Sequence, residues 1–361
     1  MRWFCPAGAR CVCFTQGNTR CLQPKRKSKG SDKEQSAAAS SFVAAQNERE
    51  AETNLSNLIN LEAYPVQPVL NRLLQDKTTK QNIIFATDAY SGYGKEFSET
   101  SQITESKLLG FRKIEIQPRV EKAAAEQSAR TRKKAEVFTP SWIVNKMNNH
   151  CDEEWFGRPN VFNTEYGTSW VTNTAPIVFE SKDAWKKYVD SRRLEITCGE
   201  APYIVSRYDA STGEIIPLDD RIGILDRKLR VVNENASGNE EWLKWAIRAL
   251  QSSYGYEFQG DNLLIARVNV LTTFVEYYER WFGSQPDITL LRKVTNIICW
   301  NFWQMDGLTG TIPFNLPPAE KQMSFEDYIN GEFQEQISII PVCRIMNWRD
   351  TKATDYDKIG G

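Results

Sequence analysis

The chain has 361 residues, 41% hydrophobic and 25% charged, with a net charge of −1, the balance of an ordinary globular protein long enough to bury a large core. Near-neutrality gives no global electrostatic signature of a nucleic-acid partner, and no apolar run approaches the roughly 20 residues a bilayer span needs. The basic N-terminus lacks the unbroken apolar core of a secretory signal, so a cytoplasmic location with no membrane partner is expected.

Residues 1–50 differ in composition from the rest of the chain. Cys5, Cys11, Cys13 and Cys21 crowd the start without forming two C-x-x-C pairs, and no histidine stands near to complete a zinc set. No metal is expected. Lys25 to Lys29 is mostly basic and Ser31 to Ser41 is rich in Ser, Ala and charge, which buries too little apolar surface to order itself. The segment is read as disordered or outside the functional unit. Cys151, Cys198, Cys299 and Cys343 are scattered, as expected of reduced, buried thiols in an intracellular protein.

Residues 51–134 read as a mainly helical, basic region. Leu55, Leu58, Ile59 and Leu61, then Leu70, Leu73 and Leu74, recur at near-helical spacing. Ile83 to Ala86 predicts a short strand ended by Asp88 and the Gly92/Gly94 turn. Helices are predicted over Ser101 to Phe111 and Arg119 to Lys134, with an alternating Arg112 to Gln117 between them. From Lys107 to Lys134 there are nine basic residues against three acidic ones, a cluster suited either to DNA phosphates or to a solvated helix face.

Residues 135–361 read as an α/β domain. Phe138-Thr139-Pro140 ends an extended piece, and Pro140, with preset φ and no donor to satisfy, suits the start of a helix from Ser141. A loop-rich aromatic stretch comes next, then a short helix near Trp185 to Val189. Leu194 to Ile204 predicts a strand running into a turn of small residues and then a helical start. Tyr208 to Pro217 suggests a hairpin. Ile222 to Val232 and Glu240 to Leu250 read as amphipathic helices, Tyr254 to Phe258 as a strand, and Asn262 to Phe282 as a strong helix. Leu291 to Trp300 is apolar and passes towards Asp306. A proline-rich loop, an acidic helix near Phe325 to Phe333 and a strand over Ile337 to Val342 close the chain. The strand–helix alternation from 194 favours a parallel sheet.

Three points then form a set: the turn Cys198-Gly199-Glu200-Ala201, Glu257 at one strand end, and Asp306 at what reads as the next. In a doubly wound sheet consecutive strand ends line one crevice, where small residues let a nucleotide-like ligand approach the backbone and a carboxylate can accept both ribose hydroxyls. The plainer alternative is that each acid caps the next helix along the chain.

These residues resemble the DNA adenine N6-methyltransferases, including the modification (M) subunits of bacterial restriction–modification systems. Leu194 to Ile204 is similar to the family's first cofactor motif, L-D-P-A-C-G-S-G-x-F-L. Glu195 stands at the aspartate, Thr197-Cys198-Gly199 at A-C-G, Ala201 at the last glycine and Tyr203 at the phenylalanine. Gly255-Tyr256-Glu257-Phe258 with Leu264 to Leu271 resembles the second motif, Asp306-Gly307-Leu308 the third, and Phe138-Thr139-Pro140 the motif that leads in circularly permuted members. Over about residues 130–310 the four stand in the family's order.

The resemblance implies a Rossmann-like core binding S-adenosyl-L-methionine. Glu257 would hold the ribose and Asp306 and Leu308 would lie by the adenine. Phe138, Thr139 and Pro140 would surround the methionine end. Double-stranded DNA would be the partner, with a restriction or specificity subunit as a second. Residues 207–250 would be an insertion between the first two motifs.

The family's catalytic N-P-P-Y, whose polar groups hold the target amine while its ring stacks on a flipped base, has no good counterpart. Asn315-Leu316-Pro317-Pro318 carries an inserted residue and no aromatic after it. No catalytic residue is therefore assigned, and a non-catalytic DNA- or partner-binding subunit stands as the alternative. The lone His150 disfavours a hydrolase triad, and Glu105, Glu115, Glu121 and Lys122 lack the spacing of a nuclease centre. No G-x-G-x-x-G supports nicotinamide binding.

Overall fold

The computed structural model describes residues 9–12, 58–122, 139–315 and 342–358. Among these, strand β1 is Ala9–Val12, succeeded by short helices α1 (Leu70–Leu73) and α2 (Glu105–Leu109). Helix α3 (Ser141–Phe156) leads to the hairpin of β2 (Asn163–Tyr166) and β3 (Ser169–Thr172), then α4 (Ala184–Val189) and β4 (Arg192–Glu195). Helices α5 (Ile224–Asn235) and α6 (Asn239–Gln251) precede β5 (Ser253–Glu257). Helices α7 (Gly260–Phe282) and α8 (Ile288–Asn301) precede β6 (Phe302–Gln304), and a hairpin of β7 (Arg344–Asn347) and β8 (Lys352–Asp355) comes last. The architecture is mixed α/β, with eight α-helices among the described residues. No helix among them is long and apolar enough to cross a membrane.

The central sheet has the order β1-β4-β5-β6 and is parallel throughout. Glu195 pairs with Gly255 and Glu257 with Gln304, so the carboxyl ends of β4, β5 and β6 lie along one edge. Alternation along β5 divides its side chains between two faces. Tyr254 and Tyr256 join Leu194, Trp303 and Met305 in one cluster, against Ile345, Trp348 and Tyr356 of the C-terminal residues. The helices share the other, larger core, in which Trp242, Leu264, Phe274 and Ile298 are fully buried.

Local chemistry explains the best-defined elements. Helix α3 starts after Pro140 and stops at Gly157, whose φ of 66° permits the left-handed end. Helix α7 ends in the same way at Gly283, and Asp287 caps α8 by accepting from the Leu290 amide at 2.8 Å.

Several expectations need correction. The region 58–122 is largely irregular rather than mainly helical. Leu58 to Leu61 forms no helix, the predicted Ser101 to Phe111 helix shrinks to α2, and only one 3-10 turn, Arg119–Glu121, stands at the start of the predicted charged helix. Ile83 to Ala86 makes a single bridge, Ile84 to Gln102, outside the sheet. Arg112 to Gln117 forms no strand, and its alternation reflects Ile114 and Ile116 burying one side. The helical start after Ala201 ends within a turn, because the Tyr203 and Ile204 carbonyls accept instead from the Ile224 and Leu225 amides. Hairpin β2–β3 was not foreseen. Of residues 1–50 only β1 is described. The rest of that segment, residues 123–138, the predicted acidic helix and nearly all of the strand after it lie outside the described residues.

Candidate functional site

The turn leaving β4 is built by left-handed residues at every second position. Thr197, Gly199 and Ala201 have φ of 47°, 54° and 63°. Ala201 thus adopts the conformation its glycine counterpart would favour, at a cost of about 1 kcal/mol. The Tyr256 carbonyl accepts from the Cys198 amide at 2.8 Å, and Ala201 N–H donates back to Cys198 O at 2.7 Å.

Glu257 holds the middle of the turn. Its Oε2 accepts from Gly199 N–H at 2.8 Å and its Oε1 from Gln259 N–H at 3.1 Å. The carboxylate is buried at 7% exposure. Glu195 accepts from Tyr203 N–H at 3.4 Å, while its Oε2 is buried without a partner among the described residues. Burial pushes its pKa well above the usual carboxylate range, with Glu257 adding to the rise. Burial, Glu195 and Glu257 likewise raise the Cys198 thiol, which excludes it as a ready nucleophile.

Thr139 lies beside this turn, and a hydrogen bond links its side chain to Tyr203. Pro140 precedes Ser141, whose amide donates to Asp209 at 2.7 Å. Phe138 lies outside the described residues. Across the edge, Asp306 is half-exposed and its Oδ1 accepts from Leu308 N–H at 2.8 Å, while Leu308 itself is almost fully exposed. Phe258 is half-buried and packs edge-on against Phe314, ring centroids 5.6 Å apart.

Sequence reading missed a layer laid over this edge by residues 83–122. Phe85 O accepts from Gly260 N–H at 2.9 Å, and the Gln304 side chain bonds both the amide and the carbonyl of Ile84 at 2.9 Å. Glu200 accepts from Arg119 N–H and Tyr208 Oη, each at 2.6 Å. Asp261 meets Tyr90 at 3.1 Å and Lys122 at 3.3 Å. Burial first, then Glu200 and Glu115, push Glu121 up to about 7. Gly260 was the available signal, since a Cβ there would stand 1.9 Å from Ile84 O.

The described part of the basic cluster is mostly spent internally. Lys107 packs over the Phe85 and Phe97 rings, Lys113 pairs with Glu62, and Arg119 and Lys122 are buried. Arg130 to Lys134 lies outside the described residues. His150 is exposed, and Cys198, Cys299 and Cys343 are buried free thiols, with Cys151 half-buried. A concavity of about 600 Å³ on α6 and α8, lined by Leu243, Trp245 and Lys293 among others, shares no residue with the turn. No family model, curated protein or solved structure matches the chain.

Proposed function

We propose that the chain is the cofactor-binding part of an S-adenosyl-L-methionine-dependent DNA adenine N6-methyltransferase, a modification subunit with a Rossmann-like core. One observation carries the reading. The strands bearing Glu195, Glu257 and Gln304 are parallel neighbours in chain order, and the turn after the first is bonded to the carboxylate ending the second. Consecutive strand ends of this kind form the ligand crevice of open parallel sheets.

The donor set fits the cofactor. Glu257 stands at the end of the second strand, where a carboxylate can accept ribose hydroxyls, Phe258 and Phe314 offer ring faces for an adenine, and Asp306 is half-exposed one strand along. Gly199 is half-exposed and leaves the turn backbone approachable there, and Thr139 borders the turn through its hydrogen bond to Tyr203. The bound cofactor would supply the electrophilic methyl group. This chain's residues would bind and orient it, keep Cys198 protonated, and exclude water through the layer over residues 260–304. Double-stranded DNA and a restriction or specificity subunit are the partners that go with this role, in the cytoplasm.

Isothermal titration with S-adenosyl-L-methionine tests the reading. Saturable binding is expected, weakened about tenfold by Glu257→Gln, the worth of a hydrogen bond to a charged group. No detectable binding by the wild-type chain would refute it.

Two observations favour a second reading, a non-catalytic DNA- or partner-binding subunit. Asn315-Leu316-Pro317-Pro318 does not reproduce N-P-P-Y, and residues 83–122 satisfy Gly260, Glu200 and Asp261 from within the chain. Transfer of a labelled methyl group to DNA by this chain alone would exclude that reading.

A further inference from the structure

A second cavity, of about 390 Å³, lies between the loop after α1 and the start of the C-terminal hairpin, lined by Asp76, Lys77, Lys80, Trp300 and Arg344 among others. Its volume falls within the range of small-molecule sites, about 300–1,000 Å³. The lining is chemically uneven. Lys80 and Arg344 are exposed and Lys77 is half-buried, so three cations border one opening, and Asp355 lies 3.8 Å from Arg344 Nε as a partial counter-charge. Trp300, half-buried, supplies an indole wall.

Asp76 is only 3% exposed. Its Oδ2 accepts from the Thr79 amide and hydroxyl, each at 2.7 Å. Its Oδ1 is buried with no partner among the described residues. A buried acceptor left unpaired is costly and calls for a donor. Lys77 Nζ donates to Gln75 Oε1 at 3.2 Å and does not reach Asp76 Oδ1.

A bare anion would suit the three cations, but one small enough to meet them leaves Trp300 uncovered and, unless protonated, brings Asp76 no donor. A bare cation would suit Asp76 but meet three positive charges. The complementary ligand carries a negative group, an N–H donor and a flat ring in one small molecule. We infer that this cavity binds a nucleoside monophosphate with an exocyclic amine. The phosphate is met by Lys77, Lys80 and Arg344, the base lies against Trp300, and the amine donates to Asp76 Oδ1. The cavity shares no residue with the turn after β4, so the inference does not rest on the proposed function.

Calorimetry on the full chain tests it with adenosine 5′-monophosphate, purine riboside 5′-monophosphate (which lacks the amine) and inorganic phosphate. The adenine nucleotide should bind saturably, the analogue about tenfold more weakly, and phosphate weaker still. Lys80→Ala with Arg344→Ala, both at exposed positions, should weaken the nucleotide about tenfold and flatten its salt dependence. Asp76→Asn, which turns the free acceptor into a donor, should erase the preference for the amine. No saturable nucleotide binding, or equal affinity of the wild type for both nucleotides, would overturn the assignment. Binding lost in Glu257→Gln but kept in the Lys80/Arg344 variant would place the nucleotide at the other site and overturn it too.

Discussion

Replacing Glu257 by alanine separates the two jobs its carboxylate can do. In the folded chain it accepts from Gly199 N–H at 2.8 Å and Gln259 N–H at 3.1 Å, and it helps hold a turn in which Thr197 and Ala201 are left-handed without being glycine. Hydrogen bonds to a charged acceptor contribute about 1.5–3 kcal/mol each, and backbone donors left dry cost a similar amount. Water entering the shortened side chain's space recovers part of this, so Glu257→Ala should destabilise the protein by about 3 kcal/mol. Glu257→Gln keeps one acceptor oxygen and should cost about half as much. Guanidinium unfolding monitored by tryptophan fluorescence gives both values, with an unchanged denaturant slope confirming that the same unit unfolds. A loss in Glu257→Ala below about 0.5 kcal/mol, the scatter of neutral surface changes, would show that the carboxylate does not hold the turn.

Gly199→Ala should cost only about 1 kcal/mol, because its φ is 54° but nothing lies within 4 Å of the added Cβ. Gly260→Ala should cost about 3 kcal/mol, since its Cβ would stand 1.9 Å from Ile84 O and force the covering segment away. Thermal unfolding of the pair checks this, and equal losses would refute it. Asp152 is buried between Arg227, at 2.6 Å, and Tyr188, at 2.9 Å, so Asp152→Ala should strand a buried charge and cost about 3–5 kcal/mol by urea unfolding. Glu121, raised by burial from 4.5 to about 7, binds its proton more tightly folded than unfolded. Its stabilising share is complete below pH 4.5 and is lost as pH rises through about 7. Glu121→Gln should therefore make stability fall less between pH 5 and pH 8 than in the wild type, and an unchanged fall in urea midpoint would contradict the assignment.

The second half of the chain was legible because its elements carry their own signals. Helices α5, α6 and α7 show clear apolar periodicity, β5 is closed by Gly260-Asp261, and Pro140 marks the start of α3. The turn after β4 was recognisable by composition, but its geometry was not, because nothing in an alanine announces a φ of 63°. Residues 58–122 misled for a physical reason. Their apolar residues are spaced to fit the surfaces of α7, α8 and the sheet edge, and Leu73, Phe85 and Ile103 are fully buried there. Long-range contacts override local helical or strand preference. The covering layer was invisible for the same reason, since the partners Ile84 and Gln304 are far apart in sequence. Hairpin β7–β8 also defied reading. Lys352 to Asp355 pairs antiparallel with Arg344 to Asn347 instead of extending the main sheet.

The way residues 83–86 seat against Gly260 and Gln304 also sets an order of assembly. Ile84 and Gln304 stand 220 positions apart, and Leu73 and Arg267 stand 194 apart. Contacts of such separation carry a heavy loop-closure cost and form only after the surface that receives them exists. During synthesis the early residues therefore emerge long before their seat is made, and they must wait until β6 has left the ribosome. A nascent chain ending before Gln304 would present the bare strand ends together with an unhoused Phe85 and Leu73. Closure of the carboxyl edge by residues 83–86 is then a late step of folding, and until it occurs that apolar surface stays open to association.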